Sequence, residues 1–162
     1  MFNDMGRPLL IIFLLMTVVI SGCATTPKPA KVNLTIETST DLNPDLRDRP
    51  SPIVLRIYNL RGIDAFKNAR FFELYENAEQ ILGQELVSVK EIEISPNSVE
   101  RREVEKMTGD TTHVGFLAAY RDIDRSIWRE VISTPSGSKV NYTVRLNGLK
   151  IEVSPAKNSW GF

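Results

Sequence analysis

Apolar and polar residues alternate with a period of two in one segment after another of this chain, and no other feature limits its fold as tightly. Val32, Leu34 and Ile36 alternate with Asn33, Thr35 and Glu37, the pattern of a strand with one buried face. In Ile53–Leu60, Ile53, Leu55 and Ile57 share one face while Arg56 and Tyr58 take the other. Residues 90–94 set Ile92 and Ile94 against Glu91 and Glu93. Residues 114–120 are apolar on both faces, which predicts a central covered strand, and residues 127–132 follow as another. Near the end, Tyr142, Val144 and Leu146 face Leu149, Ile151 and Val153 across Asn147-Gly148, a strong short hairpin signal. Short strands at this spacing predict an all-β domain of two packed antiparallel sheets.

One segment breaks the pattern. Over residues 64–83, Phe66, Ala69, Phe72, Leu74, Tyr75, Ile81 and Leu82 recur at roughly helical spacing. Asp64 suits a helix start and Gly83 a helix end. The spacing predicts one or two short helices covering an edge or one end of the sandwich, where they would hide unpaired backbone groups. Phe66, Phe71, Phe72, Leu74 and Tyr75 read as core rather than as a partner groove.

The only cysteine, Cys23, follows the apolar run 9–20 and the small residues Ser21-Gly22. Twelve residues of helix cover about 18 Å against about 30 Å of hydrocarbon, too little to span but suited to a signal-peptide core. A thiol there fits a lipoprotein-processing site, with residues 1–22 removed and Cys23 carrying lipid. Cys23 then leaves no thiol for a disulfide, so the fold rests on its hydrophobic core. Ala24 follows the cysteine where inner-membrane retention would favour aspartate, which predicts the outer membrane. Residues 23–31, with Pro27 and Pro29, read as an extended, mobile spacer. Residues 32–154 form the sandwich and residues 155–162 a tail.

Twenty basic and 20 acidic residues cancel, and no basic run exists to neutralise phosphates, which excludes nucleic-acid binding of the usual kind. His113 is the only histidine, so no cluster suits zinc; it reads as the entrance of a strand. Arg121-Asp122-Ile123-Asp124-Arg125 resembles a carboxylate pair, its two acids sharing a face if the segment is a strand. Cationic neighbours favour an ionised carboxylate, the wrong state for a proton donor. The segment reads as a charged corner closed by Trp128. No nucleophile with a base, no Gly-rich phosphate loop and no cofactor site is legible, which points away from an enzyme.

Four blocks in order then carry a resemblance: Asp41-Leu42-Asn43-Pro44-Asp45; Arg49-Pro50-Ser51-Pro52 running into Ile53–Leu60; Phe71-Phe72-Glu73-Leu74-Tyr75; and Ala119-Tyr120-Arg121-Asp122-Ile123-Asp124, ending at Trp128-Arg129. Behind a lipoprotein signal, they resemble the TssJ (SciN) family, outer-membrane lipoproteins of the type VI secretion system. The likeness runs from Cys23 to about Val153. Two positions depart from it: Asn97 stands where family members often have Gly, and Tyr120 where they often have Phe. The resemblance implies a transthyretin-like sandwich with a projecting loop after the first strand. It further implies an anchor, lipidated at Cys23 on the periplasmic face of the outer membrane, that binds the periplasmic C-terminal region of TssM in the envelope complex.

The loop in question is 40–52, which holds three prolines and alternating charges. Prolines fix backbone angles and lower the entropy lost on docking. The resemblance places partner contact at Leu42, Asn43, Pro44, Asp45, Leu46, Arg47 and Asp48. Two other readings stay open at this point: a small-ligand carrier or enzyme, as other transthyretin-like domains can be, and a structural outer-membrane lipoprotein with no dedicated partner.

Overall fold

A computed structural model describes residues 27–156; the signal segment, Cys23, residues 24–26 and the last six residues of the tail lie outside them. Among the described residues eight strands and two helices follow in order: β1 (Lys31–Thr38), β2 (Ile53–Leu60), α1 (Asp64–Asn68), α2 (Phe71–Leu82) with a 3-10 turn at Gly83–Glu85, β3 (Leu86–Ile94), β4 (Val99–Glu103), β5 (His113–Ala118), β6 (Arg129–Ser133), β7 (Lys139–Asn147) and β8 (Lys150–Pro155). They make two four-stranded sheets, ordered β4-β1-β7-β8 and β3-β2-β5-β6. The architecture is the expected all-β sandwich with one exception to antiparallel pairing. β1 and β7 run parallel, from Lys31↔Lys139 to Thr38↔Leu146. Their solvent-facing partners mark the register: Asn33 Nδ2 donates to Asn141 Oδ1 at 2.9 Å and Arg145 Nε to Glu37 Oε2 at 3.1 Å.

The alternating residues face inward as the period demands. Val32, Leu34, Ile36, Leu55, Phe116, Val144, Leu146 and Ile151 are buried in one core between the sheets. A second core lies on the other side of β2 and β5, where Tyr58, Leu60 and Leu117 meet Phe66, Phe71, Leu74, Ala78 and Leu82 of the helices. The helices therefore cover a sheet face rather than an edge or an end. The reason is in β2 and β5: both carry apolar side chains on two faces, so each needs two covers. Each fully buried Phe or Leu contributes about 1.5–3 kcal/mol. Tyr58 Oη, inside this second core, donates to the Leu74 carbonyl at 3.0 Å. Arg129 donates to the carbonyls of Phe66 (2.6 Å) and Ala69 (2.9 Å), satisfying the end of α1.

Several local expectations shift. Asp64 does not cap α1; it sits in the first turn, and Glu85 Oε2 accepts the Ala65 amide at 3.2 Å instead. Gly83, at φ +49°, ends α2 as expected. β3 starts at Leu86 rather than residue 90, and β6 at Arg129 rather than 127. β4 was not foreseen, because Val-Glu-Arg-Arg-Glu has no apolar alternation; its charges suit an edge strand. The hairpin pairs Asn147 with Lys150, which makes Gly148-Leu149 the turn, one residue later than the Asn-Gly signal suggests. Gly148 takes φ +51°, the place for glycine in a type II′ turn, and this register keeps Leu146 opposite Ile151. Asn97 stands at φ +52°, a backbone conformation that glycine takes most easily and asparagine tolerates. Tyr120 is buried, and its hydroxyl has no hydrogen-bond partner among the described residues.

The strands give the domain two distinct ends. β1 enters at Lys31, beside Ser138, and leaves at Thr38, beside Ser98 and the loop 40–52. The corner after β5 and the β7–β8 turn share the loop end, since the Asn43 amide donates to the Gly148 carbonyl and the Arg121 amide to Asn43 Oδ1, both at 2.8 Å.

Gly115 is where the helix layer meets the sheet. A Cβ there would come within 2.6 Å of the Phe66 ring. Gly115→Ala is expected to destabilise the domain by about 1–3 kcal/mol through overpacking, read as a lower denaturation midpoint; an unchanged midpoint would mean that α1 is not seated on β5.

Candidate partner-docking loop

The loop 40–52 is closed at its neck and knit at its tip. At the neck, Leu42 is wholly buried in the core and Asn43 is 3% exposed. Asn43 adopts φ +47°, a conformation that Asn tolerates. Its side chain donates to the Pro52 carbonyl at 2.8 Å and accepts the Arg121 amide at 2.8 Å. The Ser51 amide reaches the Leu42 carbonyl at 2.9 Å, so the two stems of the loop are tied together. Leu42 and Asn43, expected among the contact residues, are supports below the surface.

The tip is organised by Asp45. Its Oδ1 accepts the amides of Arg47 (2.8 Å) and Arg49 (3.0 Å), and its Oδ2 accepts Arg49 Nε (2.8 Å). The Asp48 amide returns to the Asp45 carbonyl at 2.9 Å, with Asp48 at φ +58°. Asp45 is thus spent inside the loop. What the tip offers outward is Leu46, fully exposed at 106%, and the side chain of Arg47, which has no carboxylate within 4 Å among the described residues.

Opposite the loop lies the corner after β5. Asp122 accepts the Arg125 amide at 3.2 Å and Arg125 Nε at 2.6 Å. This segment is a turn, not a strand, so Asp122 and Asp124 are not a facing pair. Trp128 packs edge-to-face on Phe71 at 5.3 Å and closes the corner. Between loop and corner runs an open cleft of about 900 Å³, whose walls include Leu46, Arg47, Phe72, Ile123, Arg125 and Leu149. Phe72 is 62% exposed, whereas Phe66, Phe71 and Leu74 are buried, as expected. The adjacency Phe71-Phe72 was the available signal: neighbours on a helix point about 100° apart, so a narrow buried stripe centred on Phe71 leaves Phe72 at its edge. Leu149 was hidden by the misplaced turn.

Other candidates are weaker in geometry. His113 opens β5 and its Nδ1 lies 2.8 Å from Thr112 Oγ1; partial burial and then the Lys67 charge lower its pKa. No group of metal ligands occurs among the described residues. A smaller cleft of about 170 Å³ opens between the edges of β3 and β4, floored by Ile57, Asn59 and Val104. That is below the roughly 300–1,000 Å³ typical of small-molecule pockets.

Residues 30–149 match the family described as "Type VI secretion lipoprotein, VasD, EvfM, TssJ, VC_A0113". The chain belongs to the TssJ (SciN) family. The T6SS lipoprotein TssJ1 from Pseudomonas aeruginosa is 32% identical with a TM-score of 0.76, over 79% of this chain and 97% of that one. Serratia marcescens Lip, a membrane-bound component of the type VI secretion system, shares the fold at 20% identity and a TM-score of 0.70, over 78% and 97%. So does a chain of a structure of the T6SS TssM C-terminal domain from EAEC, at 17% identity and a TM-score of 0.65, over 78% and 98%. No curated protein matches in sequence. The family is one of secretion-apparatus lipoproteins, and the matched span takes in the loop, the corner and the hairpin turn. Among the described residues no helix is long and apolar enough to cross a membrane.

The Arg49 side chain, then the amides of Arg49 and Arg47, hold the Asp45 carboxyl down at about 2, from an ordinary 3.8. A depressed carboxyl favours the folded loop fully above 3.8, and this preference fades as pH falls from 3.8 to about 2. Carboxyl NMR should therefore give Asp45 a midpoint near 2, moving up toward 3.8 in Arg49→Ala; a midpoint of 3.8 in the native protein would mean that the tip is not knit.

Proposed function

We propose that this lipoprotein anchors the type VI envelope complex to the outer membrane through lipid on Cys23 and grips the periplasmic C-terminal region of TssM with its loop. The observation that carries the reading is Leu46, an aliphatic side chain fully in solvent on a tip that Asp45 has already ordered. A singly exposed leucine is ordinary on a protein surface, but this one stands on a tip already ordered, so covering it with a partner's apolar surface would cost little entropy. Phe72 supplies a second apolar anchor across the cleft. Arg47 and Arg121, without carboxylates within 4 Å among the described residues, can meet acidic groups of the partner and steer its approach. Pro44, Asp45, Leu46, Arg47 and Asp48 form the gripping segment; Leu42 and Asn43 brace it. The fold-level likeness to a chain solved in a TssM structure supports the choice of partner.

The placing of Asp45 decides which substitutions test the surface. Reversing its charge would unravel the tip, so a loss of binding would not distinguish contact from collapse. Leu46→Ser touches nothing inside the domain. It is expected to weaken binding to the TssM periplasmic region about tenfold, or about 1.4 kcal/mol, with the melting temperature unchanged. Unaltered affinity by calorimetry would favour a lipoprotein with no dedicated partner at this loop.

Anchoring is tested separately. Cys23→Ala is expected to abolish incorporation of labelled palmitate and to stop secretion. Normal outer-membrane fractionation of that variant would sink the lipid anchor.

A further inference from the structure

The end of the sandwich opposite the loop holds the chain before β1 begins. Ala30 is buried. The Lys28 carbonyl accepts the Gly137 amide and Ser136 Oγ, both at 2.8 Å, and the Lys31 amide donates to the Ser138 carbonyl at 2.8 Å. A Cβ on Gly109 would sit 1.9 Å from the Pro27 carbonyl oxygen, so the backbone at 27 lies directly on that glycine. The segment 23–31, which reads in sequence as a mobile spacer, is therefore bound to the domain from Pro27 onward. Only Ala24, Thr25 and Thr26 separate Pro27 from Cys23.

That length limits where a lipid on Cys23 can place the domain. Four Cα steps reach at most about 14 Å, whereas the eight residues of β1 cover about 26 Å between the two ends. The tether is shorter than the domain is deep, and the domain cannot turn its loop end toward the anchor.

The surface at the tether end is also chemically distinctive. Lys28, Lys31, Lys106 and Lys139 are exposed there. None has a carboxylate within 4 Å among the described residues; of the acids nearby, Glu105 pairs with Lys90 and Asp110 with Arg61, while Glu103, opposite Asn33, is exposed and outside these pairs. Lys31 and Lys139 are direct partners in the β1–β7 register. Like charges placed side by side are unfavourable unless an anion lies over them.

We infer that the short tether presses this lysine rim onto an anionic phospholipid surface, so that the loop at the far end points permanently away from the bilayer. The inference rests on lipidation of Cys23. In this arrangement the bilayer orients the domain, and the partner meets a loop already facing it, without a search over orientations.

The test uses the lipoprotein purified from membranes. Its intact mass is read first. It is then placed in phosphatidylethanolamine–phosphatidylglycerol vesicles or in neutral detergent and exposed briefly to an amine-acylating reagent. Lys28, Lys106 and Lys139 are expected to react several-fold more slowly on vesicles than in detergent. Lys150, beside the turn at the loop end, should react equally in both. A long glycine–serine insertion between Thr26 and Pro27 frees the domain and should restore the reactivity of the rim. An acylated protein whose rim lysines react equally fast in both settings overturns the inference. Equal protection on vesicles of phosphatidylcholine alone overturns the anionic chemistry. An intact mass without acyl chains overturns the lipid anchor, and this inference with it.

Discussion

The ring of Phe66 rests on Gly115, where the helix layer meets the sheet β3-β2-β5-β6. This contact stands for a wider constraint: β2 and β5 are apolar on both faces and must be covered twice. The sheet β4-β1-β7-β8 supplies one cover and α1 with α2 the other. With both faces fixed, the ends of β2 and β5 are fixed too, and with them the starting points of the loop and the corner. Arg129, which ties α1 to β6 through two carbonyls, and Tyr58, which ties β2 to α2, supply direction to a burial that would otherwise be non-directional.

The loop end depends on that frame through Asn43. One side chain bridges the returning stem at Pro52 and the corner at Arg121, while its own amide reaches the hairpin at Gly148. Three connections that are far apart in sequence are thus held to one another by the side chain and backbone of one buried residue. Above this point the tip is ordered by Asp45 alone, using backbone amides and Arg49. The two levels divide the work: Asn43 sets where the tip stands, and Asp45 sets its shape. Leu46 and Phe72 are left outward because neither level has any use for them.

The tether and the loop lie at opposite ends of β1. This strand is interior to its sheet, paired with β4 on one side and with β7 along its whole length on the other. Tension between a membrane anchor and a gripped partner would run along β1 and load these hydrogen bonds together, in shear rather than one at a time. A strand at a sheet edge, bonded on one side only, would share the same load over fewer bonds. The parallel pairing that departs from an all-antiparallel plan is therefore well placed for the anchoring role proposed above.

Much of this was legible in the residues. Period-two alternation fixes β1, β2 and the final hairpin because a strand with one wet face must alternate, and the doubly apolar 114–120 announces a covered strand for the same reason. Gly83 marks the end of α2 because the left-handed conformation there suits glycine. The family blocks pointed to the loop. What the sequence did not carry was partnership across distance. β4 has no alternation, since its order comes from β1 beside it. The hairpin turn shifted by one residue because side-chain pairing between strands outranked local turn preference. Leu42 and Asn43 read as loop surface until the hairpin and the corner closed over them, and residues 27–30 read as spacer until Gly109 and Gly137 received them. Local sequence determined which segments could be strands or helices, because backbone sterics and one-sided burial act within a few residues. Only the tertiary structure decided which polar groups were spent internally and which apolar ones stayed outside, because that depends on neighbours a hundred residues away.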